Sequence, residues 1–206
     1  MSALSHGLDV LRVKVLTTLL RRVVVLVRAL DRDGNDFPLP EGFRLAVLAE
    51  HDLGAYRAFR PDQEQTLLDE RLARGDLCFA VLAGETIVHA TWASSALGPL
   101  PYLAADARLL EGDVCLYDSY TERSFRARDL SRSRDELCRR HYRARGLRRS
   151  VALIARENVA GLRTAEPLGY RPIGEYGWLR LGSLERRWST SSGSEPLPVL
   201  VPRRSS

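Results

Sequence analysis

The sequence predicts an α/β (α+β) fold: a mixed, mostly antiparallel central sheet with helices on both faces. Three observations carry that expectation. Apolar, β-branched runs recur at Val23–Val27, Leu77–Leu82, Thr86–Ser94 and Val114–Thr121, and read as strands. Helical composition fills Glu50 to Phe59, Asp62 to Arg74 and Arg126 to Arg145. The two kinds of segment interleave along 206 residues of which 45% are hydrophobic, enough for one packed core rather than separate helical and sheet domains.

Leu8, Leu11, Val15 and Leu19 have helical spacing, whereas Val23 to Val27 is β-branched. Residues 1–40 are therefore expected to form an N-terminal arm, a helix to about Leu20 and then a strand, packed on the domain. An amphipathic membrane-surface helix is the alternative for that arm. Turn residues fill Asp31 to Gly42. The domain proper is expected over residues 41–184. A strand at Phe43–Leu48 opens it, followed by two helices, the second stopping at Gly75 as a C-cap. Ala83-Gly84-Glu85 joins a hairpin. Leu97 to Pro101 reads as a Gly/Pro loop, and Tyr102 to Leu110 is ambiguous. After the strand at Val114–Thr121 and the helix ending at Gly146 come a strand at Arg148–Ala155, a short helix at Asn158–Leu168, and one or two strands over Tyr170–Leu181. Residues 185–206 turn to Ser, Pro and Arg and are expected to be disordered.

No run approaches the roughly 20 consecutive apolar residues needed to span a bilayer. The nearest, Val13 to Val27, is broken by Lys14, Arg21 and Arg22. No signal-peptide pattern is present, so a cytoplasmic location is expected. Three cysteines without C-x-x-C spacing and four scattered histidines suggest neither a zinc site nor metal dependence. The net charge is +5, and eleven arginines lie between Arg123 and Arg149 against Asp129, Asp135 and Glu136. That stretch reads as a solvated helix face or as a site for an anionic ligand, either a nucleotide cofactor or RNA.

The segment Glu157-Asn158-Val159-Ala160-Gly161-Leu162 through Leu168-Gly169-Tyr170 follows a strand and contains an Asn fit to cap a helix while offering its amide to a ligand. Over these fourteen positions it resembles the segment after the fifth strand of Gcn5-related N-acetyltransferases. One unit upstream, Asp118 to Ser131 is similar to that family's fourth strand running into its pyrophosphate loop, Arg/Gln-x-x-Gly-x-Gly/Ala. The resemblance covers about residues 43–182, and before Val114 rests on element order alone. It implies binding of acetyl-CoA or another acyl-CoA by Tyr120, Thr121, Arg126, Ala127, Arg128, Asp129, Leu130, Ser131 and Asn158, with phosphates held by backbone N–H groups at a helix N-terminus. Three positions depart from the family, the first being Ala127, in place of a commonly found glycine. Asp129 stands where it has glycine, adding a Cβ and a negative charge beside the phosphates. Ala165 stands where it usually has the tyrosine that protonates the leaving thiolate.

The family's reaction needs a base for the amine and an acid for the thiolate. Alternation along the strand puts Asp118 and Tyr120 on one face, with Tyr117 and Ser119 on the other. Asp118 is thus the expected base and Tyr120 the acid, with Glu122 continuing that face as an alternative base. His89, mid-strand, is either a core imidazole or a cleft residue. The resemblance implies an acyl-CoA-dependent N-acyltransferase acting on a small-molecule or peptide amine by direct transfer. A catalytically impaired ligand-binding or scaffolding protein of this fold is the first alternative, and an aminoacyl-tRNA-dependent transferase the second. A homodimer is left open.

Overall fold

The computed structural model describes residues 20–31, 38–126 and 128–203. The helix expected before Leu20 and the loop residue Ala127 lie outside them. Eight strands form the main sheet: β1 (Leu20–Ala29), β2 (Phe43–Leu48), β3 (Leu77–Ala83), β4 (Thr86–Ser94), β7 (Asp113–Thr121), β8 (Arg149–Ala155), β9 (Arg171–Leu181) and β10 (Leu184–Ser191). Their spatial order is β10-β9-β1-β8-β7-β4-β3-β2. Every neighbouring pair is antiparallel except β7 and β8. A smaller antiparallel sheet combines β5 (Leu97–Leu100), β6 (Ala105–Arg108) and β11 (Val199–Pro202) in the order β11-β6-β5. The Gly/Pro stretch at Leu97 is therefore a strand rather than a loop.

Alternation along the strands divides the core. Cys78, Ala80 and Leu82 face α1 (Leu53–Phe59) and α2 (Gln65–Ala73), whose Tyr56 and Leu68 pack among them. Phe79 faces the opposite way, with Val114 and Leu116, against Cys138 and Tyr142 of α3 (Leu130–Arg143). In β1, Val23, Val25 and Val27 pack with Leu100, Ala105 and Ala107 of the small sheet, while Val24 and Leu26 meet Ala165 and Leu168 at the end of α4 (Val159–Ala165). Thus α3 and α4 cover one face of the main sheet, and α1, α2 and the small sheet cover the other. Gly75, Gly146 and Gly169 take the left-handed conformation at the helix ends as expected (φ 76, 81 and 82°).

Two expectations are corrected. The first strand is no peripheral arm: β1 lies inside the sheet between β8 and β9, bonded on both edges, because its Val-rich run is apolar on both faces. Residues 185–203 are ordered rather than a disordered tail. Gly177 leaves a shelf on β9 where the Trp188 ring lies; a Cβ there would sit 2.1 Å from that ring. Leu197 packs over Gly174, Tyr176 donates to the carbonyl of Pro198 at 2.6 Å, and β11 pairs with β6. Composition hides this because the anchoring contacts are made by β9.

Gly177→Ala is expected to destabilise the protein by roughly 1–3 kcal/mol through overpacking against Trp188. Thermal unfolding with limited proteolysis checks this: a lower midpoint and faster cleavage beyond Leu181 are expected, and an unchanged midpoint would remove the anchoring role.

Candidate functional site

The parallel pair β7 and β8 is in register only from Asp113↔Arg149 to Leu116↔Ala152. Beyond it the strands part. A bulge is the local cause: two residues of β7, Asp118 and Ser119, stand opposite the single Thr91 of β4, and Asp118 has φ 49°. The parting opens a cleft of about 370 Å³ between β7, β8, α3 and α4, lined by Ser119, Ser131, Arg134, Asn158, Thr164 and Ala165 among others. A second depression of about 230 Å³ adjoins it at the start of α3, bounded by Thr121, Arg126, Arg128, Asp129, Leu130 and Arg132. Ser131 and Thr164 line both, so the two are continuous.

The second depression is where the sequence expects phosphates. The first N–H groups of α3, at Leu130 and Ser131, have no partner within the helix and carry the positive end of its dipole. Arg126 and Arg128 are exposed at its rim. Asp129 has φ 54°, the left-handed conformation that glycine enters most readily, and Asp is among the few other residues to accept it. Its side chain makes no cap hydrogen bond, is 71% exposed, and lies 3.4 Å from Arg132. The glycine-like backbone is kept and the carboxylate turns outward. Asn158 caps α4 by accepting from Gly161 N at 2.9 Å, and so tightly that a Cβ on Gly161 would meet Asn158 Nδ2 at 2.7 Å.

The expected catalytic set is not assembled. The bulge breaks the alternation: Tyr117, Asp118 and Tyr120 all meet Arg60 or Arg71 on the α1–α2 face, and Ser119 meets Arg134 of α3. Asp118 borders the cleft but is held between Arg60 Nη1 at 3.2 Å and Arg71 Nη2 at 2.8 Å, an ion-pair cluster rather than a free base. Tyr120 does not line the cleft; its ring packs edge-on against Phe59 with Arg60 4.7 Å from its centre. Tyr117 donates to buried Asp76 at 2.6 Å, and burial followed by that bond pushes its phenol well up. Glu122, half-buried where β7 ends, has no side-chain partner among the described residues.

The arginine-rich stretch is no uniformly solvated face. Arg134 and Arg139 are buried, and Arg132, Arg140 and Arg149 pair with Asp129, Glu136 and Asp113. Arg134 is the residue that sequence reasoning missed. It falls in the stripe Leu130, Arg134, Cys138, Tyr142, four residues apart and all buried, so the signal was a charge at a core-facing helical position. Its Nε donates to His89 Nε2 at 3.1 Å and its Nη2 to Ser119 Oγ at 3.3 Å. Burial, and then the Arg134 charge, lower the His89 pKa to about 3. With Nε2 accepting, the neutral ring carries its hydrogen on Nδ1, 2.8 Å from Thr121 Oγ1. His89 is thus a core imidazole.

No family model and no curated protein matches the chain. Solved structures do. A GCN5-related N-acetyltransferase from Sphaerobacter thermophilus superposes with a TM-score of 0.56 at 14% identity, over 90% of this chain and 58% of that one. A Drosophila protein gives 0.55 at 16%, over 86% and 58%. A GCN5-related N-acetyltransferase from Kribbella flavida gives 0.51 at 16%, over 81% and 60%. The fold is that of the Gcn5-related N-acetyltransferases. The chain spans about three fifths of these relatives' length. Among the described residues, no helix of this Gcn5-related fold is long and apolar enough to cross a membrane.

Asp118→Asn is expected to cost about 3 kcal/mol in urea unfolding, since it removes the carboxylate paired with buried Arg71, whereas Arg60 keeps Asp62. Unchanged stability with lost turnover would instead return Asp118 to the role of base.

Proposed function

We propose that the protein is an acyl-CoA-dependent N-acyltransferase that moves an acetyl group directly to the amine of a small molecule or peptide. The observation that carries this is the cleft between the parted strands β7 and β8, continuous with the N-terminus of α3. Its narrow, partly apolar section suits a pantetheine arm, and its far end suits two phosphates. The N–H groups of Leu130 and Ser131, with Arg126, Arg128 and Arg132, supply the anion-binding set. Asn158 keeps its Nδ2 donors for the arm while its Oδ1 caps α4. Glu122 takes the place of Asp118 as the carboxylate base of this reading. The acceptor amine enters from the α1–α2 side, opposite α3. The acetylating activity named for the solved relatives agrees with this reading. The aminoacyl-tRNA alternative loses its main support, because much of the basic stretch is engaged in ion pairs within the fold.

Calorimetry with acetyl-CoA, followed by an acceptor screen read out as free thiol, tests the proposal: saturable binding and amine-dependent thiol release are expected, and no heat at millimolar acetyl-CoA overturns it. Asp129→Gly is expected to tighten acetyl-CoA binding by about tenfold, roughly 1.4 kcal/mol, by removing a negative charge beside the phosphates and a Cβ from a left-handed residue. Unchanged affinity in the same titration would mean that the phosphates bind elsewhere.

A further inference from the structure

The buried side of the cleft has a polar construction that the fold alone does not require. Arg134 is 5% exposed and lies 3.5 Å from Asp135, but that carboxylate is already bonded to Arg28 at 2.7 Å and to Tyr170 at 3.2 Å. The hydrogen-bond acceptors of Arg134 in this network are neutral: the His89 imidazole and the Ser119 hydroxyl. A guanidinium in this position is under-compensated and favours a negative charge nearby. Ser119 stands between it and the open cleft, and is exposed there. Thr91 Oγ1 donates to the carbonyl of Tyr117 at 3.1 Å and lies 2.5 Å from Ser119 Oγ. Ser119 therefore gives its own hydrogen to Thr91, and receives one from Arg134. Ala165, a small side chain, lines the same cleft.

We infer that Ser119, polarised by Arg134, is the group that protonates the departing sulfur, doing the work for which residue 165 has no hydroxyl. This rests on the acyltransferase reading above. As the amine nitrogen bonds to the thioester carbonyl carbon and the C–S bond breaks, its electron pair passes to sulfur. Ser119 turns its hydrogen from Thr91 to that sulfur, the proton shed by the nitrogen goes to Glu122, and solvent then takes that proton from Glu122 and returns one to the Ser119 oxygen. No proton is gained or lost overall. Arg134 acts through Ser119 and is a positioning residue; His89 holds Arg134 in turn, by accepting its Nε hydrogen.

The test is the ionisation of the thiol of free CoA bound to the protein, followed by thiolate absorbance across a pH series, beside steady-state turnover. In the wild type the bound thiol is expected to ionise about one unit lower than in solution, a tenfold shift in the equilibrium. Ser119→Ala, a small change at an exposed position, is expected to abolish the shift and to lower kcat about 100-fold, with CoA affinity and melting temperature unchanged. Arg134→Lys is expected to retain part of the shift, and Arg134→Gln none. In Ser119→Ala, acetyl thioesters of more acidic thiols are expected to recover turnover. A wild type that binds CoA and turns over, yet has the same thiol titration and kcat as Ser119→Ala, overturns this inference alone. A wild type that binds no CoA overturns the acyltransferase reading with it.

Discussion

The structure depends on one constraint, the point at which β7 and β8 stop pairing. They share four register positions and then diverge, since Asp118 enters a left-handed bulge and turns the rest of β7 along β4. A parallel pair that splays leaves backbone groups unsatisfied on the facing edges, a cost of the kind normally avoided inside a sheet. It is tolerated because both strands are held from behind. β4 is bonded to the outer edge of β7, and β1 is bonded to β8 along seven residues from Val23 to Ala29. The walls of the cleft are therefore braced by bonded neighbours on their outer edges.

The bulge also decides which residues can act. Each side chain after Tyr117 is set on a face by it, so the same backbone irregularity that opens the cleft sends Asp118 to Arg60 and Arg71 and turns Ser119 toward α3. On the α1–α2 face the arginines meet carboxylates at close range and the charges are compensated. On the α3 face Arg134 donates to a neutral imidazole and a hydroxyl, and the carboxylate 3.5 Å away, Asp135, is shared with Arg28. The two faces are chemically unlike for that reason: one is a locked ion-pair layer, and the other retains capacity for negative charge.

Apart from β5 and β6, the order of elements from Phe43 to Leu181 is legible in the sequence because each is a local pattern, such as the alternation in Cys78 to Leu82 or a glycine after a helix at Gly75, Gly146 and Gly169. What is not legible is non-local. Alternation assigns Asp118 and Tyr120 to one face and Tyr117 to the other, and one inserted residue invalidates the parity of that strand. Nothing in Asp-Ser-Tyr at 118–120 marks a bulge beyond the tolerance of Asp for the left-handed conformation, which many unbulged Asp residues share. The placement of β1 is likewise non-local: its apolarity on both faces tells that it is buried, but not between which partners. At the start of α3 the sequence misleads about conformation. Asp129 reads as a lost glycine, yet it retains the backbone conformation for which glycine is used and directs its charge toward solvent and Arg132.

The segment after Leu181 completes this logic. Ser, Pro and Arg composition lacks the apolar area to order itself, and it orders only because β9 presents glycine at 174 and 177, where Leu197 and the Trp188 ring fit. Its last strand, β11, then closes the small sheet over Val23, Val25 and Val27. β1 and the segment after Leu181 thus meet around the wall that backs β8. Loosening β10 and β11 would free one face of β1, and with it the strand that holds the far wall of the cleft. The cleft is made where β7 and β8 cease to pair, and its shape is maintained from behind, by a segment whose Leu197 and Leu200 pack into the same cluster as Leu153 of the cleft wall.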